Sequence, residues 1–166
     1  MNQSKSLKSA ALVTVTAAAT MLLIQACGGG ALAQSATDAD PVEGTWEAAV
    51  SVRDCTTNAV LFVGRSQAMA HRGGTWSQTD ASPPTTRGVG FGTWKHDATA
   101  QNYTTRFRFI RYNADGSFAG TVRVTRVFTL SADGNTQTSI NTSQTLDVAG
   151  TVLQNGCGSD VSTRVS

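Results

Sequence analysis

The chain has 166 residues, of which 40% are hydrophobic, and this is enough for one domain with a single core. The formal net charge of +2 comes from Lys5 and Lys8, since the remaining Lys and Arg residues match the 11 Asp and Glu residues in number. All of these remaining cations except Lys95 are arginines, and they do not form the basic stripe that neutralises phosphates, so no nucleic acid partner is expected.

The amino-terminal segment has the pattern of an export signal. Lys5 and Lys8 precede an apolar run over residues 10–24 that is broken only by threonines, and small residues follow. The run is too short and too rich in threonine for a membrane span, which needs about 20 predominantly apolar residues. We therefore expect the segment to be removed on export.

A cysteine follows the apolar run, and the sequence IQAC at residues 24–27, with three glycines after it, resembles the lipobox of bacterial lipoproteins. The resemblance implies a signal peptide over residues 1–26, a lipid on Cys27 and, because Gly28 follows, sorting to the outer membrane. The alternative is ordinary cleavage after Ala33, which gives a soluble periplasmic or secreted protein. We favour the lipoprotein, because a lone cysteine in this position is not a feature of ordinary signal peptides.

Two further cysteines, Cys55 and Cys157, lie in the rest of the chain. An oxidising compartment favours a disulfide between them, which would contribute up to ~4.7 kcal/mol in the chain-entropy model. Two free thiols are the alternative. A zinc site is disfavoured, because it needs about four ligands and only His71 and His96 accompany the cysteines. We expect no metal and no cofactor.

Residues 27–41 are small and polar without periodicity, which indicates a flexible tether, and they leave a domain at residues 42–166. In this domain apolar and polar residues alternate with the period of two that is typical of half-buried strands. The predicted strands span residues 44–53, 60–70, 75–79, 89–96, 103–112, 118–130, 136–147 and 151–165.

Short turns connect most of these strands, and Asp115-Gly116 and Asp133-Gly134 are typical hairpin turn pairs. We predict an all-β fold, an eight-stranded antiparallel up-and-down barrel, because closure removes the exposed strand edges. Closure requires the first strand to pair with the last, and Cys55 and Cys157 lie at those two strands. A sandwich would need long crossing connections, and residues 80–87 form the only long loop.

The start of the first strand, Gly44-Thr45-Trp46, resembles the G-x-W motif of lipocalins and other calycins. In that family the Trp closes the bottom of the barrel beneath an Arg from the last strand, so the resemblance implies a barrel-closing pair of Trp46 and Arg164. The chain departs from lipocalins in having no helix after the eighth strand. Barrels of the allene oxide cyclase and dirigent type are similar in topology only.

An eight-stranded barrel either fills its interior with side chains or holds one small ligand. The predicted sixth strand turns Val122 and Arg126 inward, and Arg126 either pairs with a carboxylate, meets backbone carbonyls near the rim, or meets an anionic ligand. Gly88, Gly90 and Gly92 allow sharp strand curvature or leave room for a ligand, and we favour curvature. The predicted pocket residues are Trp76, Phe91, Trp94, Phe107, Phe109, Val122 and Arg126.

These features predict a monomeric lipocalin-like barrel that binds a small apolar or amphipathic molecule and contacts a membrane only through its lipid anchor. A filled barrel that serves as a cell-envelope interaction module, with recognition by residues 80–87, is the first alternative. An enzyme resembling allene oxide cyclase is the second. His71 and His96 fit surface turns, no motif places an acid, a base or a nucleophile, and we predict no catalytic residue.

Overall fold

The structure, a computed structural model, describes residues 39–165, and it confirms the predicted antiparallel barrel. The predicted signal peptide, the cleavage site after Ala33, Cys27 and most of the tether lie outside these residues. Within the described part, no helix has the length and apolar character needed to cross a membrane. The strands are β1 Gly44–Arg53, β2 Val60–Ala70, β3 Thr75–Asp80, β4 Gly90–Asp97, β5 Asn102–Tyr112, β6 Phe118–Leu130, β7 Thr136–Leu146 and β8 Val152–Arg164.

The strands pair in chain order, and β8 pairs with β1 to complete the circle. In this closing ladder Trp46 lies opposite Arg164, and Val50 lies opposite Asp160. Because side chains alternate across a strand, the even-numbered residues of β1 and β8 point into the barrel along the seam. The predicted pairing of the first strand with the last is therefore confirmed.

Aspartate side chains fix the hairpin turns. Asp54 accepts hydrogen bonds from the backbone of Thr56 and Thr57, and Asp97 does the same for the backbone of Thr99 and Ala100. Such side-chain caps replace backbone partners in a tight turn. The turns alternate between two ends of the barrel, so that the β1–β2 turn and the β3–β4 loop share one end.

The other end of the barrel is closed by Trp46 and Arg164. The guanidinium of Arg164 lies 4.3 Å above the indole ring, and its Nη1 donates to the carbonyl of Glu43 at 2.7 Å. The indole Nε1 of Trp46 donates to the carbonyl of Val42 at 2.9 Å, and Val42 is fully buried. The cation therefore covers the indole and also holds the chain segment that leads into β1.

The hydrophobic core lies next to this closed end, between β3, β4, β5 and β6. Trp76, Trp94, Tyr103 and Phe128 are buried there, and the rings of Tyr103 and Phe128 stack at 5.2 Å. The hydroxyl of Tyr103 donates to Asp40 at 2.8 Å. Burial raises the pKa of Tyr103 well above its ordinary value, and the nearby carboxylate of Asp40 adds to this shift.

A disulfide joins Cys55 and Cys157, which confirms the predicted pair. Cys55 lies in the turn after β1, and Cys157 lies within β8 opposite Arg53. The bond spans a sequence separation of 102 residues. It therefore fastens the seam at which the barrel closes.

Candidate ligand-binding cavity

A cavity of about 490 Å³ lies inside the barrel. It extends from Trp46 and Trp76, beside the core, to residues 81–83 of the β3–β4 loop. Inward-facing positions of most strands line it, which is what the alternation of side chains predicts. Its apolar wall consists of Ala48, Val50, Val52, Phe62, Ala68, Phe107, Phe109, Val122 and Val124.

The structure brings five of the seven predicted pocket residues to this cavity, namely Trp76, Phe107, Phe109, Val122 and Arg126.

The other two predicted residues lie elsewhere. Phe91 is 65% exposed on the outer surface, because Gly90 and Gly92 take the inward positions of β4. Trp94 points inward but belongs to the core, where its Nε1 donates to the carbonyl of His71 at 2.9 Å. Neither residue lines the cavity.

Gly92 on β4 allows β4 and β5 to approach each other closely. A Cβ atom at this position would lie 2.0 Å from the carbonyl oxygen of Arg106 and 2.5 Å from the Cα of Phe107. The space beside Gly92 is therefore occupied by the backbone of β5, and the glycine allows a close approach of two strands. It does not leave room for a ligand.

A buried ion pair inside the barrel is formed by Arg126 on β6 and Asp160 on β8. Arg126 donates to the carboxylate through Nε at 2.8 Å and through Nη2 at 2.6 Å. Its Nη1 donates to Gln137 at 2.9 Å, and its Nη2 also reaches Ser162 at 3.1 Å. Arg126 and Asp160 are each 5% exposed, so the pair is held in a two-point geometry away from water.

Asp160 is saturated with hydrogen bonds. Besides Arg126, it accepts from Asn141 at 2.9 Å, from Ser162 at 2.9 Å and from the hydroxyl of Ser139. Burial raises its pKa, but the hydrogen bonds and charge of Arg126 outweigh this effect and keep the pKa of Asp160 below its ordinary value. A carboxylate in this state is a weak base with no free acceptor position for a substrate proton.

A second ion pair lies at the mouth of the cavity. Arg87 pairs through Nη1 with Asp80, donates through Nη2 to Gln78 at 2.8 Å, and lies 3.6 Å above the ring of Phe109. Burial lowers the pKa of Arg87, and the carboxylate of Asp80 opposes that shift. The long loop between β3 and β4 thus places its one arginine over the cavity wall.

The predicted pocket residues did not include Asp160, Asp80 or Arg87. Asp160 could have been found from the alternation of β8, since Gly158, Asp160 and Ser162 share the face of Arg164. Arg87 lies in a loop, where no periodicity indicates which way a side chain points.

The histidines do not line the cavity. His71 is hydrogen-bonded to the hydroxyl of Ser77 at 3.0 Å, and His96 stacks on Tyr103 at 4.4 Å. Across residues 39–165, no three His, Cys, Asp or Glu side chains are grouped so that they could hold a metal ion. In this part of the chain the interior offers apolar surface and two internally neutralised ion pairs.

Comparisons of the chain with family profiles, with characterised proteins and with solved structures found no match.

Proposed function

We propose that this protein is an exported, lipocalin-like carrier that binds one small, largely apolar molecule inside its barrel. The observation that carries the proposal is the cavity of about 490 Å³ with its apolar wall. Ligand pockets in proteins have volumes of roughly 300–1,000 Å³ and are lined mostly by apolar and aromatic side chains with a few polar groups. The interior of the barrel has this composition.

The mouth of the cavity also favours an apolar ligand. Val52 on β1 and Phe62 on β2 are directly opposite one another and line the cavity, yet they are 40% and 63% exposed. Large apolar side chains at a rim carry a cost in hydration when the cavity is empty. A ligand that covers them removes that cost and gains contact area.

Export and membrane anchoring belong to the same proposal. The disulfide between Cys55 and Cys157 supports an oxidising compartment, since such bonds are rare in the cytosol. The lipobox resemblance at Cys27 supplies the anchor. A lipid-anchored carrier would hold its ligand at a membrane surface, and soluble secretion remains the alternative arrangement.

The two competing functions are less well supported. A filled barrel is disfavoured by the size of the cavity. An enzyme of the cyclase type needs an inward acid or base, and Asp160 is already paired with Arg126 and saturated by hydrogen bonds.

The proposal is tested with N-phenyl-1-naphthylamine, an uncharged apolar dye whose fluorescence rises when it leaves water. Ala48 lines the cavity, whereas Ala49 is the next residue of β1 and is exposed outside the barrel. We expect the wild-type chain to bind the dye, Ala48→Phe to weaken binding by about tenfold or more because it fills the cavity, and Ala49→Phe to bind as the wild type does. Dye binding that is unchanged in Ala48→Phe would refute binding inside the barrel.

A further inference from the structure

The charged side chains around the cavity are arranged so that no net charge faces a ligand. The guanidinium of Arg126 is matched by the carboxylate of Asp160, to which its Nε and Nη2 donate at 2.8 and 2.6 Å. The guanidinium of Arg87 is matched by the carboxylate of Asp80. Each cation thus has its own anion within the protein.

One more charged residue, Arg65, contributes to the lining. It alternates with Ser66, which is buried and inward-facing, and lies opposite Ala49 on the outside of the barrel. Its exposed side chain therefore belongs to the outer surface.

The buried side-chain polar groups that remain unpaired in the described part of the barrel are all uncharged. Buried side-chain atoms without a partner are the indole Nε1 of Trp76, the hydroxyl of Thr105 and the amide Nε2 of Gln137. Trp76 lines the cavity, as do the hydroxyl-bearing residues Ser66 and Ser143. Hydroxyl, indole and amide groups pair with neutral acceptors and donors without importing a charge.

We infer that the barrel selects an uncharged ligand that has an apolar body and a neutral hydrogen-bonding group such as an alcohol, ester or amide. It rejects fatty-acid anions and alkylammonium ions whose alkyl chains are as long as that of the uncharged ligand. This inference rests on the proposed function. A carboxylate that entered the cavity would remain an unpaired buried charge, or it would have to displace Asp160 from Arg126 and leave Asp160 unpaired instead. An ammonium ion would likewise remain unpaired, or it would have to displace Arg126 from Asp160 or Arg87 from Asp80 and leave the displaced guanidinium without its anion.

The experiment measures displacement of N-phenyl-1-naphthylamine from the full chain at neutral pH by three ligands with the same twelve-carbon chain. We expect 1-dodecanol to displace the dye and both laurate and dodecylammonium to require at least about tenfold higher concentrations, as burial of an unpaired charge implies. Laurate and dodecylammonium are used below the concentrations at which they form micelles, and dodecanol is used below its solubility in water.

A pair of variants tests the cause of this preference. Asp80→Asn leaves the charge of Arg87 at the mouth without its anion. We therefore expect the affinity for laurate, relative to that for dodecanol, to rise at least about tenfold. Asp97→Asn makes the same change of charge at the last residue of β4, at the other end of the barrel, and should keep the preference of the wild type. Circular dichroism verifies that both variants are folded. If Asp80→Asn is not folded, the displacement of the dye from the wild-type chain by the three ligands still decides the inference.

The outcomes separate the two proposals. If the dye binds and laurate displaces it as well as dodecanol does, the inference is wrong and the apolar carrier stands. If the dye does not bind the wild-type chain, the carrier is wrong and the inference fails with it. If Asp97→Asn gains laurate binding as strongly as Asp80→Asn, overall charge sets the preference and the inference is wrong.

Discussion

Arg126 and Asp160 meet inside the barrel although their strands, β6 and β8, are separated by β7. The pair therefore lies over the inner face of β7, where Gln137, Ser139 and Asn141 contact it, and it connects two strands that share no backbone hydrogen bonds. Replacing a buried ion pair with apolar groups is often neutral, whereas removing one partner leaves an uncompensated charge. The stability of the barrel should therefore respond differently to the loss of one partner and to the loss of both.

Asp160→Asn should lower the free energy of unfolding by about 3–5 kcal/mol, because Arg126 keeps its charge and loses its anion in a dry environment. The double variant Arg126→Met/Asp160→Leu removes both charges and should be more stable than Asp160→Asn. Urea unfolding followed by circular dichroism measures both. Glu47→Gln, the same change at an exposed site on β1, serves as control and should alter stability by no more than about 0.5 kcal/mol. Equal losses in Glu47→Gln and Asp160→Asn would contradict the prediction.

Stability should fall at alkaline pH because of Tyr103. Its pKa is raised in the folded protein, so the folded state holds the proton above about pH 10, where the unfolded state releases it. The contribution is complete below the unfolded pKa and is lost as the pH rises through the folded pKa. We expect Tyr103→Phe to flatten the alkaline fall measured by urea unfolding at stepped pH, while Tyr112→Phe keeps it. An alkaline limb with the wild-type slope in Tyr103→Phe would refute this assignment.

Loss of the disulfide should destabilise the barrel without changing its topology. We expect Cys55→Ser/Cys157→Ser to lose about 2–5 kcal/mol of unfolding free energy, since the bond closes a long loop in the unfolded chain. When a reductant is added, the urea midpoint of unfolding of the wild-type chain should move toward that of the double variant. The midpoint of the double variant should not change. A midpoint for the wild type that is unaffected by complete reduction would contradict this expectation.

Gly92→Ala should be destabilising, whereas Gly64→Ala should be tolerated. A Cβ on Gly92 meets the backbone of β5 at 2.0 Å, and the strands must separate to admit it. A Cβ on Gly64 meets only the ring of Phe62 at 2.8 Å, which is exposed and able to move. We expect Gly92→Ala to cost about 1–3 kcal/mol or more in thermal unfolding. Similar melting temperatures for the two variants would show that the strands yield easily.

The fold was predictable from the sequence because local signals and long-range pairing agree. The alternation in β1 and the Asp-Gly turns define hairpins, and closure then needs only that the first strand meet the last. The predicted strand bounds differ from the observed ones by at most one residue. The differences fall at strand ends, such as Asp80, which pairs with Ser66 and so extends β3 by one residue.

The cavity was only partly predictable, for reasons that individual residues make clear. The period of two identifies which residues face inward, and applied strictly to β4 it places Gly90, Gly92 and Trp94 on the face opposite Phe91. It does not reveal how deep an inward residue lies, so it could not distinguish Trp94, which lies only in the core, from Trp76, which belongs to the core and also lines the cavity. The same period places Asp160 on the inward face of β8 but does not identify it as the partner of Arg126, because the two residues lie two strands apart.

The bond between Cys55 and Cys157 turns the polypeptide from β2 to β7 into a macrocycle. A single proteolytic cut in the exposed loop at residues 81–86 would linearise this ring without releasing a fragment. The two pieces would part only after reduction. A nicked molecule of this protein would thus keep its original mass apart from one added water.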